Sequence, residues 1–156
     1  MSSGILVALR VPATPARAFE VFVGEISSWW RPNGLFRFSR KPGGILAFEP
    51  GPDGRLIETL PQGDVFEIGR ITAWEPGVRL AFTWRQEGFA EDQLTRVEVR
   101  FEPIGDETRV TVEHRDWDTI PPEHVARHGF PDHVLLRRHA EWWQTLLASY
   151  RTSISE

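Results

Sequence analysis

The chain has 156 residues, a net charge of −4 from 18 basic and 22 acidic side chains, and no cysteine. That length suits one domain with one core, and the absence of cysteine excludes disulfides, thiolate metal sites and cysteine nucleophiles. A hydrophobic share of 40% against 26% charged excludes a disordered chain, and the interleaved signs leave no basic block to track a phosphate backbone, so no nucleic-acid partner is expected.

In chain order, "MSSGILVALRVPATP" holds a short apolar stretch with no basic segment before it, so it reads as neither leader nor membrane span, and a cytoplasmic protein is expected. Ile5–Val11 is apolar enough for a buried strand. Thr14 then fits an N-cap and Pro15 a first helical position. Phe19, Phe22 and Ile26 follow at helical spacing, with Gly24 dividing two short helices and Pro32, Asn33 and Gly34 ending them. Trp29 is expected to close the core beside Phe22 and Ile26. Trp30, about 100° round, is expected at the mouth of a cavity.

The middle of the chain alternates short apolar-polar segments with turns such as "KPGG", "PGPDG" and "EPGV". Val97, Val99 and Phe101 oppose Glu98, Arg100 and Glu102. Val78, Leu80, Phe82 and Trp84 oppose Arg79, Ala81 and Thr83. Such strands make an antiparallel meander covered on one face. In "VFEIGRITAW" the apolar phase slips, which predicts a β-bulge at Gly69. Trp74 and Trp117 fall out of phase with the inward residues of their strands and are expected to be exposed.

The last segment changes period. Leu136, Ala140, Trp143, Leu147, Tyr150 and Ile154 follow in alternating steps of four and three. A flanking row of Leu135, His139, Trp142 and Leu146 widens the apolar face, with Trp142 at its margin. A helix of about 20 residues would be about 30 Å long, enough to cover the sheet. The expected architecture is α+β: a curved antiparallel sheet of six to seven strands gripping a long C-terminal helix, with two short helices after the first strand. All of it falls in one domain, residues 1–156. A sheet curled on one helix leaves room for a cavity between them.

"VPATPARAFEVF…ISSWW", "KPGGILAFEPGPDGRLIE", "GRITAWEPGVRLAFTW", "TRVTVEHRDW" and the terminal helix follow one another in an order that resembles the branch of the START-type, helix-grip (SRPBCC) superfamily named after the activator of the heat-shock protein 90 ATPase. The resemblance runs from about Ile5 to Tyr150 and implies the curved sheet, the gripped helix and a hydrophobic cavity. It carries no catalytic motif onto numbered residues. Because the sequence opens directly on its first expected strand, the separate N-terminal domain of the co-chaperone proper is not expected.

No nucleophile stands with a base nearby, and no phosphate-cradling glycine loop is present. His124 and His128 have helical zinc spacing but lie between Pro121, Pro122 and Gly129 with no telling third ligand, so no metal and no cofactor are expected. His114 shares the inward phase of Val110 and Val112 and must find a hydrogen-bond partner there. It reads as a polar anchor in an apolar pocket, or as half of a proton-moving pair with Glu58. Trp30, Phe38, Phe48, Phe82, Trp84 and Trp143 come from segments that converge under the helix.

The ligand-binding residues expected are thus Trp30, Phe38, Phe48, Glu58, Phe82, Trp84, His114 and Trp143, around a hydrophobic or aromatic small molecule, with no catalytic residue assigned. Two alternatives stand beside this reading. One is a cyclase- or hydrolase-type enzyme using His114 and a carboxylate. The other is a co-chaperone-like interaction module, for which exposed tryptophans would be the mark. The partners expected are the small molecule and, through such faces, a second copy of the chain in a homodimer.

Overall fold

The computed structural model describes residues 4–30, 44–85, 93–117 and 132–155. Phe38, His124, His128 and the turn at Pro32 to Gly34 lie outside the described residues. Strand β1 (Gly4–Val11) is followed by helices α1 (Pro15–Gly24) and α2 (Ile26–Trp29). The strands β2 (Ile45–Phe48), β3 (Arg55–Thr59), β4 (Val65–Glu75), β5 (Arg79–Trp84), β6 (Thr95–Ile104) and β7 (Glu107–Arg115) come next, and helix α3 (Asp132–Ser155) closes the chain.

One seven-stranded antiparallel sheet has the order β1-β7-β6-β5-β4-β3-β2. Strands β2 to β7 form a meander in chain order, and β1 returns to pair with β7, with Ile5 opposite His114 and Val7 opposite Val112. Strand β1 is therefore an edge strand with one dry face. Ile5, Val7 and Val11 are buried while Leu6 is 68% exposed, so it alternates where a strand buried on both faces would not.

The helices start and stop for local reasons. The Thr14 hydroxyl accepts from the Arg17 N–H at 3.2 Å and Pro15 occupies the first turn. The chain breaks after Gly24, and α2 runs only to Trp29, whose indole N–H donates to the Val21 carbonyl at 3.3 Å. The 24 residues of α3 span about 36 Å, and the helix packs on β1, α1 and α2. The Tyr150 hydroxyl donates to the Ala18 carbonyl at 2.6 Å and ties α3 to α1.

Strand β4 carries two irregularities. Against β3, Leu56 pairs with Gly69 and Ile57 with Glu67, so Ile68 is the extra residue beside the predicted bulge. A Cβ on Gly69 would come within 1.7 Å of the Thr83 carbonyl oxygen, so the close approach of β5 requires glycine. Against β5, Ile71 pairs with Phe82 and Ala73 with Ala81, leaving Thr72 extra. This second bulge has no glycine to announce it. It reverses the phase, so Ala73 faces outward beside Ala81 and Trp74 turns inward opposite Leu80. The expectation of an exposed Trp74 is thus corrected: it is half-buried, edge-on to Phe19 at 5.1 Å.

Two further expectations change. Val78 sits in the β4–β5 turn and is exposed rather than inward. On α3 the flanking row is the drier one over its first half: Leu135, His139 and Trp142 are buried, while Leu136 and Ala140 are only partly so.

Candidate functional site

The inner face of β5, β6 and β7 and the first half of α3 meet in a cluster of rings. Trp84 ends β5 and Trp30 is the C-cap of α2, their centroids 5.7 Å apart. From α3, Trp142 meets Trp30 and Trp84 edge-on at 5.4 and 5.8 Å, and Trp143 lies 5.6 and 5.8 Å from the same two rings. Trp29 continues the cluster to Phe22 and Tyr150, at 4.9 and 5.4 Å. Edge-on and tilted contacts of this kind suit the ring quadrupole. The margin position expected for Trp142 is corrected, since it is buried between two rings from other elements.

Trp117 is the second tryptophan whose expected exposure is overturned; it is 1% exposed. Strand β7 stops at Arg115, and Asp116 takes a left-handed φ of 75°, its carboxylate 2.8 Å from the Arg96 guanidinium. That turn breaks the strand alternation and brings the Trp117 ring within 5.4 Å of His114 and 4.9 Å of His139.

Among these rings lies a polar hub. His114 is fully buried on the inner face of β7. Its Nε2 is 2.7 Å from Thr95 Oγ1, and the Thr95 hydroxyl donates to the Trp84 carbonyl at 3.2 Å. Its Nδ1 accepts from the Trp143 indole N–H at 3.2 Å and lies 2.7 Å from His139 Nε2. Burial, and secondarily the neighbouring His139, hold the His114 imidazole well below its ordinary value. Burial alone pushes His139 down to about 3, so both rings are neutral at pH 7. The 2.7 Å between their nitrogens is shorter than the roughly 3.3 Å that two imidazoles on one tetrahedral zinc would keep, so the geometry is that of a shared hydrogen bond.

Of the residues read from the sequence, His114, Trp30, Trp84 and Trp143 come together in this cluster. Phe48 and Phe82 are buried 5.3 Å from one another farther along the inner face. Glu58 shares that face through its register with Leu46 on β2, but it sits on β3, with β4, β5 and β6 between it and β7. Glu58 is not among the hydrogen-bond partners of His114, which are Thr95, His139 and Trp143. Thr95 and His139 were missed as site residues. His139 had a signal, its place in the flanking row of α3. Thr95 had the inward phase of Val97 and Val99 on β6.

The outer face differs throughout. Two small cavities open there, of about 120 Å³ beside Arg79, Arg96 and Arg115 and about 30 Å³ beside Leu6 and Glu113. Glu98, between them, is reached by Arg79 at 2.5 Å and Arg100 at 2.7 Å. Burial raises its carboxyl, but the Arg79 hydrogen bond and the Arg100 charge outweigh this and hold it below the usual range.

A curled antiparallel sheet holding a long C-terminal helix across one face, with a buried aromatic and imidazole cluster between them, defines a helix-grip, START-type α+β protein. A model of the Activator of Hsp90 ATPase homolog 1-like protein family matches residues 12–150, and the chain belongs to that family. Among solved structures, an Hsp90 activator from Plasmodium falciparum superposes with a TM-score of 0.68 at 15% identity, covering 98% of this chain and 96% of that one. Protein MLL2253 from Mesorhizobium loti gives 0.66 at 15%, covering 96% and 94%. CalU16 from Micromonospora echinospora gives 0.61 at 19%, covering 97% and 76%. At these identities the likeness is one of fold. No curated protein matches the sequence. No helix among the described residues is long and apolar enough to cross a membrane.

Proposed function

We propose that the protein binds an uncharged apolar or aromatic small molecule between the inner face of the sheet and α3. The observation that carries this reading is the pairing of an aromatic wall, Trp30, Trp84, Trp142 and Trp143, with a neutral hydrogen-bonding hub at His114 and His139. A wall of rings offers contact area, and one neutral polar group fixes orientation. Among the described residues a carboxylate ligand would find no counter-charge at the hub and would have to be desolvated without compensation. Phe48, Phe82 and Glu58 extend the same face toward β2 and would contact the far end of a longer ligand.

Titration with uncharged aromatic compounds and with fatty acids, followed by tryptophan fluorescence, tests this reading. Saturable quenching by the first group and weaker binding by the second is expected. An experimental structure with a filled interior, lacking a cavity of about 300 Å³, would sink the proposal.

A second reading, action on a chaperone ATPase, is favoured by the family and by the Hsp90 activator among the structural relatives. It predicts stimulation of an Hsp90-type ATPase by the purified chain. The acid–base reading would need a carboxylate beyond the hydrogen-bond partners of His114, which are Thr95, His139 and Trp143. A homodimer would now pair through Leu6, Ile45 or Val65, which are exposed, rather than through Trp74 or Trp117. Sedimentation velocity of the wild type and a Leu6→Glu variant tests it.

A further inference from the structure

Each hydrogen bond of the hub has a fixed sense. An indole N–H can only donate, and that of Trp143 points at His114 Nδ1, so this nitrogen carries no proton. His114 therefore holds its proton on Nε2 and gives it to Thr95 Oγ1, whose own hydroxyl donates onward to the Trp84 carbonyl. His139 Nε2 faces the same unprotonated Nδ1 and must be the protonated nitrogen of its ring. The donors run in one direction, from α3 to β7, then β6, then β5. One arrangement of protons satisfies these contacts, and the His114 imidazole is neutral in it.

We propose that this hub is a proton-operated latch between the first half of α3 and the sheet. A proton taken up on His114 Nδ1 turns the acceptor of two α3 donors into a third donor, and that half of α3 separates from β7 while β3 and β4 keep their pairing.

Among the described residues, those around His114 offer a proton no other acceptor. From β5 the hub is faced by Trp84, from β6 by Thr95, from α3 by Trp143 and His139, and from the chain after β7 by Trp117. Ile5 of β1 and Val97 of β6 flank His114 in register. Glu113 and Arg115 point to the outer face. Among the described residues His139 is the one titratable group that faces His114, and no carboxylate stands by to hold an imidazolium. The depressed imidazole values agree with this arrangement. In the opened state each ring titrates near 6.5, so the opening equilibrium rises about tenfold per pH unit for each proton taken up, and about 100-fold for two.

Hydrogen exchange of the α3 amides between pH 7.5 and 4, corrected for intrinsic rate, is the test. Protection over residues 134–146 is expected to fall by up to about 100-fold per unit below pH 6, with β3 and β4 unchanged. His139→Gln keeps an N–H donor but cannot titrate, and should reduce the slope to about tenfold per unit. Nitrogen-15 shifts of the wild-type imidazoles provide a readout independent of the variant: both rings are expected to remain neutral Nε2–H tautomers down to pH 5. Titration of His114 near pH 6.5 with α3 protection intact would overturn the latch. So would loss of protection in β3 and β4 together with α3, or a slope unchanged in His139→Gln.

Discussion

Strands β5, β6 and β7 carry polar groups on both faces and treat them oppositely. Outward, Arg79 reaches Glu98 and Glu75, Arg100 reaches Glu98, and Arg96 reaches Asp116, all within 3.2 Å and all from arginines whose side chains meet water. Inward, His114, Thr95, His139 and Trp143 are buried and bound to one another without a formal charge. An exposed ion pair contributes about 0–1 kcal/mol, because water replaces either partner. A buried donor that loses its acceptor has no water to turn to and costs about 1–3 kcal/mol. The same strands thus hold a forgiving polar face and an unforgiving one.

That contrast can be broken from its strongest point downward. Trp143→Ala removes a fully buried ring and one donor of the hub together. It should cost about 3–5 kcal/mol, a fall of about 10 °C in the thermal midpoint. Thr95→Val leaves the His114 Nε2–H without its acceptor in a volume-matched side chain. The expected loss is about 1–3 kcal/mol by urea unfolding, with Thr95→Ser recovering most of it.

Between pH 7 and 5 acidification acts chiefly on the inner face, because the outer Glu98 carboxyl is held below the usual carboxylate range and gives up its pairing at lower pH. Both histidines have folded values below their unfolded 6.5, so the stability they permit is complete above about pH 6.5 and is lost as pH falls below it, for His139 down to about 3. The slope should approach about 1.4 kcal/mol per pH unit for each group. Denaturant midpoints at pH 7, 6 and 5 measure it, and a flat profile would refute the neutral hub. Glu98→Gln should be the mildest change, under about 1 kcal/mol and smaller still in 1 M salt. A large loss there would mean that the outer face is less forgiving than its exposure implies.

Much of the fold is legible in the residues. Thr14 and Pro15 mark the start of α1, Gly24 its end, and the run from Leu135 to Ile154 has a single amphipathic period. Val97, Val99 and Phe101 alternate cleanly because β6 is regular. The site was legible only in part. His114 followed from the phase of Val110 and Val112, but its partners did not, because Thr95 and His139 lie 19 and 25 residues away along the chain. The two misplaced tryptophans outside the helices share one cause: Trp74 and Trp117 are phased in the sequence as though their strands were uninterrupted. The bulge at Thr72 and the left-handed turn at Asp116 each reverse the alternation, and neither falls on a glycine.

By itself, the sequence determined which residues are apolar, where helices are capped and that one long helix must cover a half-dry sheet. These follow from local propensity and periodicity, which act over a few residues. Tertiary structure alone decided that Trp84, Trp117, Trp142 and Trp143 meet around two neutral histidines, and in which direction the protons between them point. Hydrogen-bond polarity is a property of the assembled partners, and β5, β6, β7 and α3 become neighbours only once the sheet has curled around the helix.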